Sequence, residues 1–138
     1  MLGKRRALAL AAVLGAATFA VPAQGAEELT GSWANVNICN PTSLGARAQL
    51  AGDGSKDRMQ VRFTAQWLSP DGWVPLSGQA TSPWQDAGSA EFTWGQAGWT
   101  FALTVPPGQS YQLRAVADMQ LGSGKTAQYV TGTCTVGG

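Results

Sequence analysis

The stretch Met59-Gln60-Val61-Arg62-Phe63-Thr64-Ala65-Gln66-Trp67 alternates apolar and polar side chains without a break. Successive residues of a strand point to opposite faces, so this period of two predicts a strand with one face on a core and the other in water. Ser69-Pro70-Asp71-Gly72 follows with turn chemistry, Pro fixing φ and Gly accepting a positive φ, and strand signals resume at Trp73-Val74-Pro75-Leu76. The same period returns in Trp99, Phe101, Leu103 and Val105, and again in Tyr111, Leu113, Ala115, Ala117 and Met119. A last strand is expected over 127–136. After the first 25 residues, no long apolar period of 3.6 with caps appears. Seven or eight short strands joined by Gly and Pro turns predict an all-β fold, a single antiparallel sandwich. Trp94 and Trp99 have an odd offset, which would put them on opposite faces of an uninterrupted strand. A hairpin or bulge is therefore expected at Gly95-Gln96-Ala97-Gly98, with Trp94 joining Phe92 on the core.

The start of the chain reads as a secretory leader: Lys4-Arg5-Arg6, an apolar run from Ala7 to Val21, then Pro22-Ala23-Gln24-Gly25. The run has 15 residues, short of the roughly 20 that a membrane span needs. Cleavage is expected after Gly25, with Ala23 as the alternative, leaving a single domain over 26–138 with a loose start at Glu27–Gly31. Three of the nine basic residues leave with the leader and all eight acidic ones stay, so the net charge falls from +1 to about −2. No basic stripe remains for a phosphate backbone, and nucleic acid is not an expected partner. No cysteine stands at a lipid-attachment position and no hydrophobic anchor closes the chain, so the expected product is secreted and extracellular, without a membrane span. Two cysteines, Cys39 and Cys134, lie near opposite ends of that product. In an exported protein an even count is read as a disulfide, and one closing so long a loop stabilises by about 4–5 kcal/mol in the chain-entropy model.

Val105-Pro106-Pro107-Gly108-Gln109-Ser110-Tyr111-Gln112-Leu113-Arg114 resembles the corner that leads into the penultimate strand of fibronectin type III domains. The whole chain is also similar to uncharacterised exported immunoglobulin-like proteins of high-GC Gram-positive bacteria. The resemblance implies an immunoglobulin or fibronectin type III-like sandwich in which Tyr111 is a structural corner, its ring tucked beneath the turn and its hydroxyl bonded to nearby backbone. Type III domains usually lack a disulfide, and the immunoglobulin arrangement sets a Trp soon after the first Cys, whereas Trp67 follows Cys39 at a distance. A bridge that staples the first strand to the last is the expected alternative. A regular strand would put Val36 and Ile38 on a face that Cys39 does not share, so the strand is expected to end or bulge there.

Gly122-Ser123-Gly124-Lys125-Thr126 superficially resembles a phosphate-binding loop. Such a loop needs one more glycine where Met119 stands, and it must run from a strand into a helix. Here a strand rich in Thr follows, so the segment reads as a turn between antiparallel strands. Histidine is absent from the sequence, which excludes Ser-His-Asp and Cys-His nucleophiles and removes the commonest zinc ligand. Paired carboxylates remain, drawn from Asp53, Asp57, Asp71, Asp86, Glu91 and Asp118, but most fall in expected turns or on solvent faces. Asp53-Gly54-Ser55-Lys56-Asp57 has oxygen ligands at alternate positions like a calcium loop, yet its twelfth position is Thr64, inside the alternating strand. Catalytic residues, a metal and a cofactor are not expected.

Tryptophan is the remaining feature, with six in the chain. Trp67 and Trp99 lie in apolar alternation and belong to the core. Trp73 follows a turn, Trp84 sits in Thr81-Ser82-Pro83-Trp84-Gln85-Asp86, and Trp33 stands near the loose start. Exposed indoles stack on sugar rings and anchor protein interfaces, so Trp73 and Trp84 are the candidate ligand-binding residues. The expected function is a non-catalytic extracellular module contacting a protein or a polysaccharide through loops and exposed aromatics. The alternatives are a structural or envelope-associated protein without a discrete ligand and, third, a small carboxylate hydrolase.

Overall fold

The computed structural model describes residues 30–122 and 124–138. The expected leader over 1–25, the first part of the expected loose start and Ser123 lie outside them. Nine strands follow one another among the described residues: β1 (Trp33–Asn40), β2 (Ser43–Ala51), β3 (Arg58–Ser69), β4 (Gly72–Pro75), β5 (Gln85–Ser89), β6 (Trp94–Ala102), β7 (Ser110–Leu121), β8 (Lys125–Val130) and β9 (Cys134–Gly137). Every pairing is antiparallel. The fold is an all-β sandwich of a three-stranded sheet, β1-β2-β6, and a six-stranded sheet with β3 and β7 at its centre. Among the described residues no helix is long and apolar enough to cross a membrane.

The nine strands occupy seven tracks. β4 and β5 both pair with β3, and β8 and β9 both pair with β7, so each outer track of the larger sheet is one strand interrupted midway. Two buried hydroxyls fill the interruptions. Ser82 Oγ accepts the Phe63 N–H at 3.0 Å and donates to the Pro83 carbonyl, while the Ser82 N–H donates to the Phe63 carbonyl. Thr131 does the same on the other edge, its Oγ1 accepting the Ala115 N–H at 2.9 Å and donating to the Gly132 carbonyl. A central strand would otherwise have an unpaired N–H in a dry place at each break, so each hydroxyl stands in for a missing backbone carbonyl.

The alternation of Met59–Trp67 works as the pattern predicts. Met59, Val61, Phe63 and Ala65 are buried, and across the ladder they face Leu121, Met119, Ala117 and Ala115. Phe63 opposite Ala117 sets the largest fully buried ring against a small partner, which lets the two sheets interdigitate. Leu44, Ala46, Ala48 and Leu50 of β2 supply the facing layer.

β6 corrects one expectation. It pairs with β2 in constant register from Trp94 to Ala102, without the hairpin or bulge expected at Gly95–Gly98. The odd offset therefore acts as it must: Trp99 packs on the core, and Trp94 points outward, 54% exposed, with Phe92 64% exposed. Gly95 occupies the core side, where a Cβ would fall 1.9 Å from the Ala87 carbonyl oxygen. Its missing side chain lets β5 close that long edge of the sandwich against β6.

The disulfide closes the opposite edge. Cys39 and Cys134 are bridged with their Cα atoms 6.4 Å apart, joining the end of β1 in one sheet to the start of β9 in the other. β1 bulges as expected: the register with β2 shifts between Val36 and Ile38, leaving Asn37 as the extra residue. Val36 pairs with Ala46 and Cys39 with Leu44, both core residues, while Ile38 pairs with Gly45 on the other face. The bulge is what places Val36 and Cys39 on one face.

β7 ends at Leu121 and β8 begins at Lys125, with Gly122 at φ 59° and Gly124 as the described residues between these antiparallel strands. Strand, turn and strand follow one another there, as the sequence predicts.

Candidate functional site

Both candidate tryptophans reach the outer face of the six-stranded sheet. On β3 the residues opposite in parity to the core set are Gln60, Arg62, Thr64, Gln66 and Leu68, and on β7 they include Arg114, Val116 and Asp118. Trp73 of β4 pairs with Leu68 and shares its face. Trp84 comes just before β5 and lies beside Arg62. Neither tryptophan is buried: Trp84 is 37% exposed and Trp73 half-buried. Counting residues along β3 from Leu68 to Arg62, the two anchors are about 20 Å apart at roughly 3.3 Å per residue.

An arginine from a central strand covers each indole. The Arg62 guanidinium lies 4.6 Å from the Trp84 ring centroid, and that of Arg114 lies 4.3 Å from the Trp73 centroid. Cation–π attraction between such groups is worth about 0.5–1 kcal/mol when exposed, and more as water is excluded. Arg62 is also held 4.0 Å from Asp118, and the Arg114 Nε donates to Gln66 Oε1 at 2.7 Å. Partial burial lowers the Arg114 pKa from its ordinary value. Arg62 Nε is closed off from solvent and has no hydrogen-bond partner among the described residues. Thr64 and Thr81, with hydroxyls 3.2 Å apart, lie between the two stacks, and exposed Leu68 and Val130 complete an apolar fringe. Two fixed Trp–Arg stacks on one sheet face thus form a broad, semi-rigid contact surface.

The carboxylates serve other ends. Asp86 pairs with Arg58, and Asp53 pairs with Lys125 at 3.2 Å. Asp53 also caps its own turn by accepting the Ser55 N–H at 2.9 Å, and hydrogen bonds from Ser55, with Lys125 adding to them, hold its carboxyl down at about 2. The segment with a calcium-loop pattern is therefore a turn tied to the lysine of the phosphate-loop look-alike. Among the described residues, no three His, Cys, Asp or Glu side chains gather where they could hold a metal ion.

Tyr111 packs against the core at one end of the sandwich, with its ring edge-on to Trp67 at 5.6 Å between centroids. The backbone hydrogen bond that the resemblance implies for its hydroxyl is not among those of the described residues. Trp67, Leu76, Leu103, Val105, Tyr111 and Val136 line an open cavity of about 560 Å³ at that end. No acidic or basic side chain contributes to its lining.

No protein-family model matches the chain, and no curated protein does either.

The tryptophan that sequence reasoning missed is Trp94. Its parity along β6 was the available signal: Phe101 and Trp99 share one face, which sends Trp94 to the other. Four of the six tryptophans, Trp33, Trp73, Trp84 and Trp94, stand outside the set packed on the core, where only Trp67 and Trp99 belong.

Proposed function

We propose that this protein is a non-catalytic extracellular binding module, an immunoglobulin or fibronectin type III-like domain exported by its leader, which contacts a protein or a polysaccharide through the outer face of the six-stranded sheet. The observation that carries this reading is the pair of arginine-covered indoles, Trp84 with Arg62 and Trp73 with Arg114, on one face. Trp and Arg are the residue types most enriched at interface hot spots, because each brings a large contact area with a fixed geometry. This composition favours a protein partner over a glycan at this face. The reading as a small hydrolase has less behind it, since Asp53, Asp86 and Asp118 are each engaged by a cation. A structural protein that self-associates at a sheet edge would want long, flat edges. The interrupted outer tracks of the larger sheet and the bulged β1 do not offer them, and the fourth edge, the unbroken β6, is approached by β5 at Gly95.

The test is retention of the oxidised protein on surfaces of the producing cells, before and after those surfaces are treated with protease. A Trp73→Ala/Trp84→Ala variant runs alongside and is expected to fold normally, because neither side chain packs on the core. Retention that is protease-sensitive and lost in the variant is the expected result. Protease-resistant retention lost in the variant would assign the face to a polysaccharide. Equal retention of both proteins, or none by folded protein, would contradict the reading.

A further inference from the structure

The other sheet has an outer face of different chemistry. Trp33, Asn35 and Ile38 of β1 alternate with Gly45, Arg47, Gln49 and Ala51 of β2, and with Trp94, Gln96, Gly98 and Thr100 of β6. Trp33 pairs with Gln49, which pairs with Gln96, so two amides lie in one row beside an indole. The Gln96 Nε2 donates to Gln49 Oε1 at 3.1 Å, and Gln49 Nε2 donates to the Gly31 carbonyl at 2.8 Å. This chain of bonds fixes both amides, and Gln96 is exposed, with its Oε1 able to accept a further hydrogen bond. Trp94 stands one row further along, on the far strand. With strands about 4.8 Å apart and roughly 3.3 Å per residue, the Cα atoms of Trp33 and Trp94 are about 12 Å apart. That is the scale on which alternate rings of an extended sugar chain are spaced.

Between these aromatics and the disulfide end of the sheet lies a polar depression of about 290 Å³, lined by Asn37, Arg47, Gly98 and Thr100. A Cβ at Gly98 would stand 2.9 Å from the Ala46 carbonyl oxygen, so glycine there lets β6 lie close against β2 and leaves the depression open beside Arg47. Arg47 is exposed, and no carboxylate pairs with it among the described residues. The rows of this face named above hold one cation, no acid, and side-chain amides. An uncompensated guanidinium beside fixed amides, the exposed Trp94 indole and the half-buried Trp33 indole is complementary to a sugar polymer that bears carboxylates. Indoles take the apolar faces of the rings, amides take hydroxyls, and the guanidinium takes the carboxylate in a forked pair.

We propose that the outer face of the three-stranded sheet, with Trp33, Trp94, Gln49, Gln96 and Arg47, binds an acidic polysaccharide. The site is on the opposite side of the sandwich from the Trp73–Trp84 face and uses none of its residues. A protein with both surfaces would tether a partner to a glycan matrix.

The oxidised protein is titrated with three uronic-acid polymers (polygalacturonate, alginate and hyaluronate) and with the same polymers after methyl esterification of their carboxylates. Binding to at least one acidic form, weakened about tenfold or more by esterification, is expected. Trp33→Ala/Trp94→Ala is expected to lose binding to both forms, and Arg47→Gln to lose the preference for the acid while keeping the weaker binding to the ester. Trp73→Ala/Trp84→Ala is expected to bind the glycan unchanged, which separates this site from the first surface. No binding of any acidic polymer by folded protein would overturn the proposal. So would an unaltered acid preference in Arg47→Gln, or a loss of binding caused by Trp73→Ala/Trp84→Ala alone.

Discussion

At the scale of single residues, the two buried hydroxyls make the sharpest claim. Ser82 and Thr131 are the buried polar side chains of the described chain, and each receives a backbone N–H that its interrupted track leaves without a carbonyl. Thr131→Val keeps the shape and removes the acceptor, so the Ala115 N–H is left dry and unpaired. A loss of about 1–3 kcal/mol is expected from Thr131→Val and from Ser82→Ala, read by urea denaturation. A loss as small as that of an exposed threonine variant would contradict the role. Asp53 gives a pH signature. Its folded pKa of about 2 lies below the ordinary 3.8, so the stabilisation it contributes is present above the ordinary value and is lost as pH falls through about 2. A carbon-detected NMR titration of the Asp53 carboxyl should therefore show its midpoint near 2, and Lys125→Gln should raise it. None of this was legible in the sequence, because a serine or threonine between strands looks the same whether it faces water or caps a broken ladder. Trp94 was legible by parity, but only once β6 was accepted as one unbroken strand.

At the scale of elements, the long regular patterns carried through. β3 and β7 are the strands that the alternation of Met59–Trp67 and Tyr111–Met119 describes. β5, by contrast, has the sequence Gln85-Asp86-Ala87-Gly88-Ser89, with no apolar period, and it is a strand because β3 offers it a ladder. The expected last strand over 127–136 divides into β8 and β9 because Thr131 turns its hydroxyl into the ladder. The bulge in β1 supplies a test of its own. Asn37 is the extra residue, so deleting it should leave Val36 opposite Ala46, Ile38 opposite Gly45 and Cys39 opposite Leu44. The deletion variant is expected to form the Cys39–Cys134 bridge, checked by non-reducing mass spectrometry. Were β1 regular, the deletion would turn the cysteine to the other face and leave free thiols.

At the scale of the whole molecule, the sandwich is closed along its two long edges by different means. One edge has the disulfide between β1 and β9, and the other has the close approach of β5 to β6 that Gly95 permits. The bridge spans a sequence separation of 95, so Cys39→Ser/Cys134→Ser is expected to lower stability by about 4–5 kcal/mol in the chain-entropy model, checked by calorimetry against the oxidised protein. With the edges closed or interrupted, the two outer faces become the surfaces on which a partner can act. The fold places four of its six tryptophans outside the set packed on the core. Fluorine NMR of 5-fluorotryptophan-labelled protein tests this most directly, with each signal assigned by a single Trp→Phe variant and a soluble paramagnetic chelate added. The signals of exposed Trp84 and Trp94 should broaden most, those of half-buried Trp33 and Trp73 next, and those of Trp67 and Trp99, packed against the core, least. If Trp73 and Trp84 were as protected as Trp67, the contact surface would not exist and the account would fail.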